Sequence, residues 1–459
     1  MSTAPGPKGQ PLLGNLLEFG KDPLSFFLRL NRDYGGVARF KLTSKIAHLI
    51  TDPELCKYVM LDNYKNYRKG KPYARARFAF GEGLITSDGE YWRRHRKLAQ
   101  PAFSKDHYID FAKIMSDAVH AMIPKWDRSI GKPVNIATEL RNLALQIATR
   151  SLFTTDIEND AERLQHAFNE INAWFSSGSK TGFLIPPTAP TPSNLRMRKV
   201  MKEIDALIYR IIATRRRAKE PPKDLLGLLM AARDEDDGSS LSDGELRDES
   251  MTILFAAHET TGTTITWVLS MLSKYPEVER RMHSEVTRVL GKRDPSFTDT
   301  FQLAYSKQIM EETMRLCPAG PIIPREVVND DRIGGHEIPA GSVVFLSPYV
   351  MHRDVRFWEN PEAFDPDRFT PENVAKRHKY SYMPFVLGPR QCIGNHFAMT
   401  EMLVAVPMIL QRYQFQLVPG MQIGAKHLRF NEGMWMTLSR RAEPSPLTVR
   451  ADAGVALES

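Results

Sequence analysis

Cysteine is nearly missing from this chain: Cys56, Cys317 and Cys392 are the only three among 459 residues. An odd number so widely spaced assembles neither a disulfide framework nor a paired-cysteine zinc site, and a reducing compartment is the natural setting. Long apolar runs are missing as well. Residues 1–10 are rich in Pro and Gly where a secretory leader needs an unbroken apolar stretch. The most apolar stretch, 251–272, carries His258 and Glu259 at its centre. Such a pair is costly at bilayer depth, so this stretch reads as a buried helix and not a membrane span. Nor is one charge in strong excess: 62 Lys and Arg against 54 Asp and Glu leave a net charge of +8. So mild a bias fits an acidic protein, a membrane surface or nucleic acid, and selects none of them. No internal repeat and no linker-like shift of composition divides the chain.

What is present is ordinary globular material. Hydrophobic residues make up 42% and charged residues 25%, which excludes collagenous, low-complexity and disordered classes. The length suits three average domains or one unusually large one. Apolar residues recur at three and four positions from about 104 to 291, predicting helices over 111–126, 134–153, 160–175 and 200–217. Strand-like runs are short: 37–42 and 46–51 flank Thr43-Ser44-Lys45 as a hairpin, and 343–346 and 434–438 look similar. The class is mainly α with small β-sheets. Two segments break the helices, 71–88 and 176–193, the second through Pro186, Pro187, Pro190 and Pro192. Residues 234–241, acidic and rich in Ser and Gly, read as a solvated loop. The basic run 215–219 reads as a helix end favoured by the helix dipole.

The densest chemistry lies at Phe385-Val-Leu-Gly-Pro-Arg-Gln-Cys-Ile-Gly394. Gly388 and Pro389 make a tight turn, Cys392 falls near a helix start, and Gly394 leaves room for a bulky group beside the backbone. N–H groups at a helix start favour a thiolate, and Arg390 offers a cation to an acidic group on whatever the sulfur holds. A lone Cys is ordinarily a small buried hydrophobe; five fixed positions around this one argue otherwise. His396, four residues on, could complete a metal pair on one helix face, but with no further ligand nearby it reads as a packed or surface histidine.

At these residues the chain resembles the cytochrome P450 family, whose corresponding segment is the haem-binding loop with Cys as the iron ligand. The resemblance covers nearly the whole chain and implies a single domain over 1–459: a β-rich part to about 70, a helical core over about 90–320, a haem-loop part over about 320–440, and a flexible tail over 441–459. It implies haem b held by Cys392, with Phe385, Arg390 and Gly394 around it. Glu312-Thr-Met-Arg315 is similar to the family's Glu-x-x-Arg, and with Arg368 of the 361–369 segment it implies a buried structural charge network. Trp92 and Arg96 resemble the family's Trp-x-x-x-Arg, which bonds a haem propionate; Arg325 fits the second propionate arginine.

Ala256-Ala257-His258-Glu259-Thr260-Thr261 resembles the family's oxygen-activating turn, with Ala257 where Gly is usual. The resemblance implies a loosened turn in which Thr260 holds dioxygen or a water and Glu259 relays protons. A blander alternative has Thr260 bonding the carbonyl of Ala256. The implied activity is insertion of one oxygen atom from O2 into a lipophilic molecule such as a fatty acid or terpenoid, with electrons from a ferredoxin, flavodoxin or flavin reductase. Arg93, Arg94, Lys97, Lys376, Arg377 and Lys379 are expected on the docking face. The pocket is expected from 73–80, 174–184, 255–260, 319–323 and 431–435, with Tyr73, Phe78, Phe80, Trp174, Phe255, Ala256, Ile322, Ile323, Met434 and Trp435 lining it. Arg75 and Arg77 offer an alternative role in pairing a fatty-acid carboxylate. Two rival functions stand beside this: a peroxide-driven peroxygenase on the same fold, and a non-catalytic haem sensor. The protein is expected to be a soluble, bacterial-type, cytoplasmic monomer without nucleic-acid binding.

Overall fold

In the computed structural model, the described residues are 2–154, 160–181, 186–219, 222–421, 430 and 433–441, with backbone alone at 161, 162 and 176–181. The expected tail, Arg441 excepted, lies outside them, as do 182–184 and 431–432 of the expected pocket. Helices dominate: α1 (Ala74–Phe80), α2 (Gly89–Ala99), α3 (Tyr108–Asp127), α4 (Ile136–Phe153), α5 (Ala161–Thr181), α6 (Pro192–Arg217), α7 (Asp243–Lys274), α8 (Ala304–Leu316) and α9 (Asn395–Leu410), besides others that include Leu16–Lys21 and Pro23–Tyr34 in the N-terminal part and Pro276–Leu290 after α7. The strands are β1 (Val37–Leu42), β2 (Lys45–Ile50), β3 (Tyr67–Arg68), β4 (Pro133–Asn135), β5 (Ile323–Val327), β6 (Asp331–Ile333), β7 (His336–Ile338), β8 (Val343–Leu346), β9 (Tyr413–Leu417) and β10 (Trp435–Arg440).

They form a five-stranded sheet in the order β1-β2-β8-β5-β3, a three-stranded sheet β4-β10-β9 and the pair β6-β7. The hairpin expected at 43–45 is there, with Leu42 opposite Lys45 and Thr43 at φ 56. β2 pairs in parallel with β8, Ala47 opposite Val343.

α7 is the axis of the molecule. Ser242 and Glu245 close a capping box at its start, each side chain accepting from the other's backbone N–H. Its middle packs on α4 so closely that a Cβ on Gly262 would lie 2.8 Å from the Cα of Arg141. Gly262 is therefore what lets the two backbones meet.

Two expected loops are narrower than the sequence suggested. α1 occupies 74–80 inside the first, and the second is shortened from both sides: α5 continues to Thr181 and Pro192 opens α6. Proline is welcome there because a first-turn N–H has no helical partner, and Thr191 caps the helix by accepting from the N–H of Asn194. The 234–241 loop is not simply solvated either. Its Asp234 and Ser239 engage Arg94, and Glu235 and Asp236 engage Lys97.

Candidate active site

The Cys392 loop is shaped by its backbone. Val386 and Gly388 have φ of 66 and 67, and a Cβ on Gly388 would lie 2.2 Å from the carbonyl oxygen of Met60, so only glycine fits there. The N–H of Cys392 donates to the Phe385 carbonyl at 2.9 Å, and that of Gln391 to Gly388 at 3.0 Å. α9 begins three residues later, with Gly394 as its cap residue. Cys392 is exposed, although enough protein surrounds its sulfur for burial to dominate its acidity, and a Cβ on Gly394 would meet nothing within 4 Å. The backbone beside the sulfur thus faces open space, as a bulky ligand requires. Burial pushes the Cys392 thiol up; the Gly394 N–H and Arg96 pull it down but do not prevail. The thiolate expected from the helix start is not secured by the protein alone, and a metal cation is what would complete it.

The cations expected around the loop are in place. Arg390 stacks over the Trp92 ring at 3.6 Å, pairs with Asp88 at 3.0 Å and donates to the Ser87 carbonyl at 3.0 Å. Arg96 donates to the Gln391 carbonyl at 2.9 Å. Arg325, buried, donates to the Tyr73 hydroxyl at 3.2 Å and to the Pro324 carbonyl at 2.8 Å. Tyr73 accordingly belongs to this cluster. So does Lys69, which sequence reasoning missed: it is buried, and its ammonium donates to the Leu84 carbonyl at 2.5 Å. Burial first, then Arg390 and Arg325, hold its pKa well below the ordinary lysine value. Burial likewise lowers Arg390 to about 10. Nothing in the local sequence marks Lys69, because a lysine beside Gly70 reads as solvated. Like charges gathered out of water are unfavourable unless an anion joins them. Among the described residues Asp88 is the one carboxylate paired with Arg390, and it also accepts from the N–H groups of Lys69 and Gly70. The cluster therefore fits the two acid groups of a haem.

On α7, residues 251–254 and 261–272 are buried, whereas Phe255, Ala256, Ala257 and Glu259 are partly open and Thr260 is exposed. An accessible threonine in the middle of so buried a helix faces an internal cavity. The loosening expected of this turn is not there: α7 runs unbroken, and the Thr260 hydroxyl donates to the Ala256 carbonyl at 2.6 Å. The hydroxyl is satisfied locally, as the blander alternative had it. Glu259 accepts from the Asn172 amide of α5 at 2.9 Å. His258, buried against Phe168, is held neutral by burial at a pKa of about 3.

Beside this turn, Phe80, Phe255 and Phe175 pack together, with ring centroids 4.4 Å apart for Phe80–Phe255 and 5.4 Å for Phe175–Phe255. Trp174 joins through Phe175 and Phe78. Phe175 was not singled out from sequence, although it follows Ile171 at helical spacing. Ile323 lies in the core of the five-stranded sheet, apart from these rings. Ile322 packs against the main core and Met434 is buried in it. Trp435 opens β10 opposite Asn135 and is 40% exposed. The two candidate carboxylate-binding arginines are both committed elsewhere. Arg75 stacks on Trp174 at 3.6 Å and donates to its carbonyl at 2.6 Å; Arg77 pairs with Glu82 at 2.7 Å and donates to the Thr86 carbonyl.

Behind the site, Glu312 and Arg315 are fully buried and joined by two bonds of 2.6 and 2.7 Å. Arg368 lies 3.5 Å from Glu312, and the N–H of Asp365 donates to it at 2.9 Å. This is the network implied by the sequence. His396 is exposed, and no metal-binding group of His, Cys, Asp and Glu occurs among the described residues.

The cations expected on a docking face are more engaged than foreseen. Arg93 pairs with Glu90, and Arg94 with Asp234 and Glu245. Arg377 sits among the rings of Trp358, Phe369 and Tyr382 at 4.6 to 5.2 Å. Lys376 and Lys379 are exposed.

The family model described as Cytochrome P450 matches residues 4–440. This chain is a cytochrome P450. It is 34% identical over 427 residues to Cyclooctatin synthase of Streptomyces melanosporofaciens, covering 92% of this chain and 91% of that protein. It is 31% identical to Cyclooctat-9-en-7-ol 5-monooxygenase of the same organism, covering 91% and 90%. The crystal structure of the cytochrome P450DA heme domain superposes with a TM-score of 0.86 at 27% identity, covering 96% of this chain and 98% of that one. The P450 is a monooxygenase, and its family implies haem, dioxygen and a redox partner. Among the described residues no helix is long and apolar enough to cross a membrane.

Proposed function

We propose that this P450 holds haem b through Cys392 and oxygenates a largely hydrocarbon substrate of terpenoid type. The observation that carries the reading is the combination of an accessible sulfur beside open backbone with a buried cluster of cations short of anions. Bound haem supplies the reduction of dioxygen by two electrons and two protons, so that one oxygen atom enters the substrate and the other leaves as water. Trp92, Arg96, Arg325, Arg390 and Lys69 orient the cofactor's acid groups. The partly open rings of Phe78, Phe175 and Phe255 offer apolar contact to the substrate, with Phe80 and Trp174 buried behind them. With Arg75 and Arg77 engaged, nothing among them favours a fatty-acid carboxylate, and a relative named for an alkenol supports the same direction.

Titration of the haem-loaded protein with terpenes and with fatty acids, followed by the visible absorption change, tests this. Tighter binding of the terpenes is expected; saturation by fatty acids alone would overturn the substrate class.

Thr260 exchanges its bond to Ala256 for one to dioxygen or water, and Glu259 passes protons to it. Thr260→Ala is therefore expected to keep the haem spectrum while diverting reducing equivalents to peroxide. Glu259→Gln should slow turnover by about 10²-fold or more, the usual worth of a positioned acid. Unchanged coupling in Thr260→Ala would remove Thr260 from this role. For electron delivery, an acidic ferredoxin or flavodoxin suits the exposed Lys376 and Lys379 better than the self-paired cations of α2.

A further inference from the structure

His95 lies on α2 between Trp92 and the following turn, fully buried, with Tyr91 stacked on its ring at 4.1 Å. Its Nδ1 is 2.8 Å from Glu249 and its Nε2 is 3.0 Å from Glu245, both on α7. A ring with a carboxylate at each nitrogen can donate from both only as an imidazolium, the form both carboxylates favour. Glu249, also fully buried, accepts at its other oxygen from the N–H of Leu84 at 3.2 Å, and the carbonyl of that same Leu84 accepts from Lys69. Charges thus alternate along one buried row, from Glu245 through His95 and Glu249 to Lys69, which faces Arg390 and Arg325.

We propose that His95 is a positioning residue that acts through Glu249 and the Leu84 peptide on Lys69, and so sets the charge presented to the acidic edge of the cofactor. This rests on reading the Lys69, Arg325 and Arg390 cluster as the seat of the haem acid groups. With His95 charged, Glu249 is neutralised in place and keeps its second oxygen on Leu84. Without that proton, Glu249 is a fully buried carboxylate that has lost its cation, while the partly exposed Glu245 keeps Arg94, and the row that holds Lys69 loses its order.

Burial alone would lower the His95 pKa, but its bonds to Glu249 and Glu245 outweigh it and raise the value. The other titratable and charged groups near the pair are Arg94, which shares Glu245, Tyr91 on the ring face, Lys69 beyond Glu249, and Asp234, Asp248 and Glu82. A raised folded-state value means that the stabilisation is complete below the ordinary histidine range and is lost as pH rises through the raised value.

The test follows haem loss from the loaded protein to an acceptor globin, and the reduction potential, across neutral to alkaline pH. In the native chain both should change in one step where His95 loses its proton. His95→Gln should remove the step and release haem on the order of tenfold faster, as outer-sphere changes at cofactor sites commonly do. His95→Lys, which keeps the cation, should restore retention and remain without the step. Lys69→Gln should release haem at least as fast as His95→Gln. A step that survives in His95→Gln, or rapid loss in Lys69→Gln beside unchanged retention in His95→Gln, would overturn the role of His95. Unchanged retention in Lys69→Gln would instead overturn the reading of the cation cluster itself. Should His95→Gln fail to fold, His95→Lys carries the test: near-native retention without the step supports the role, and a step that persists there overturns it.

Discussion

Cys392→Ser is expected to abolish the thiolate-type spectrum of the dithionite-reduced, carbon monoxide-treated protein and, with it, all monooxygenation. The substitution leaves the loop's shape intact. That shape is set by backbone groups, the Cys392 N–H on the Phe385 carbonyl and Gly388 beneath Met60, none of which uses the sulfur. A serine hydroxyl is a much weaker acid than a thiol, and burial already opposes ionisation at this position. The seryl oxygen therefore stays protonated and donates little electron density to iron. Folding and the Trp92–Arg390 stack should survive, so the loss is one of chemistry alone. A variant whose spectrum matches the native one would show that another residue holds the iron.

Arg315→Ala should cost about 3–5 kcal/mol of stability, the usual consequence of stranding one half of a buried ion pair. Arg315 does more than neutralise Glu312: it also donates to the carbonyls of His352, Pro361 and Ala363. Its removal leaves those acceptors and a fully buried carboxylate without their principal donor. Burial pushes Glu312 up already, with Arg315 the chief opposing group, so in the variant Glu312 takes up a proton. The destabilisation should therefore shrink as pH falls. Arg315→Lys cannot reproduce the forked contact and should recover only part of the loss. Denaturant unfolding of the native and variant proteins at two pH values measures both effects, and a loss below 1 kcal/mol would mean that the network is not structurally required.

What the sequence made legible was the chemistry that is local in the chain. Cys392, its turn and the Glu312–Arg315 pair lie within ten residues or one helical turn, so fixed residue types at fixed spacing reveal them. The buried stretch 251–272 of α7 and the hairpin at 43–45, whose Lys45 turned out to open β2, were legible for the same reason. What stayed hidden depends on partners distant in sequence. Lys69 reads as a surface lysine until Leu84 and Arg325 surround it. Arg75 and Arg77 look available until Trp174 and Glu82 engage them. The proline at 192 looked like a breaker because its place at a helix start depends on the Thr191 cap beside it. The turn expected to be loosened is regular, with the Thr260 hydroxyl on its own helix, an option the sequence offers equally.

The sheets have a consequence for how the protein is made. β2 pairs with β8, and β4 with β10, across about 300 residues in each case. On a ribosome adding about 5–20 residues per second, the early strands wait tens of seconds for their partners. During that interval the edges of β2 and β4 lack their central neighbours, and such edges are templates for association with other chains. The Cys392 loop emerges between β8 and β10, shortly before the three-stranded sheet can close. The yield of folded protein should thus depend on chaperone capacity until β10 has been made.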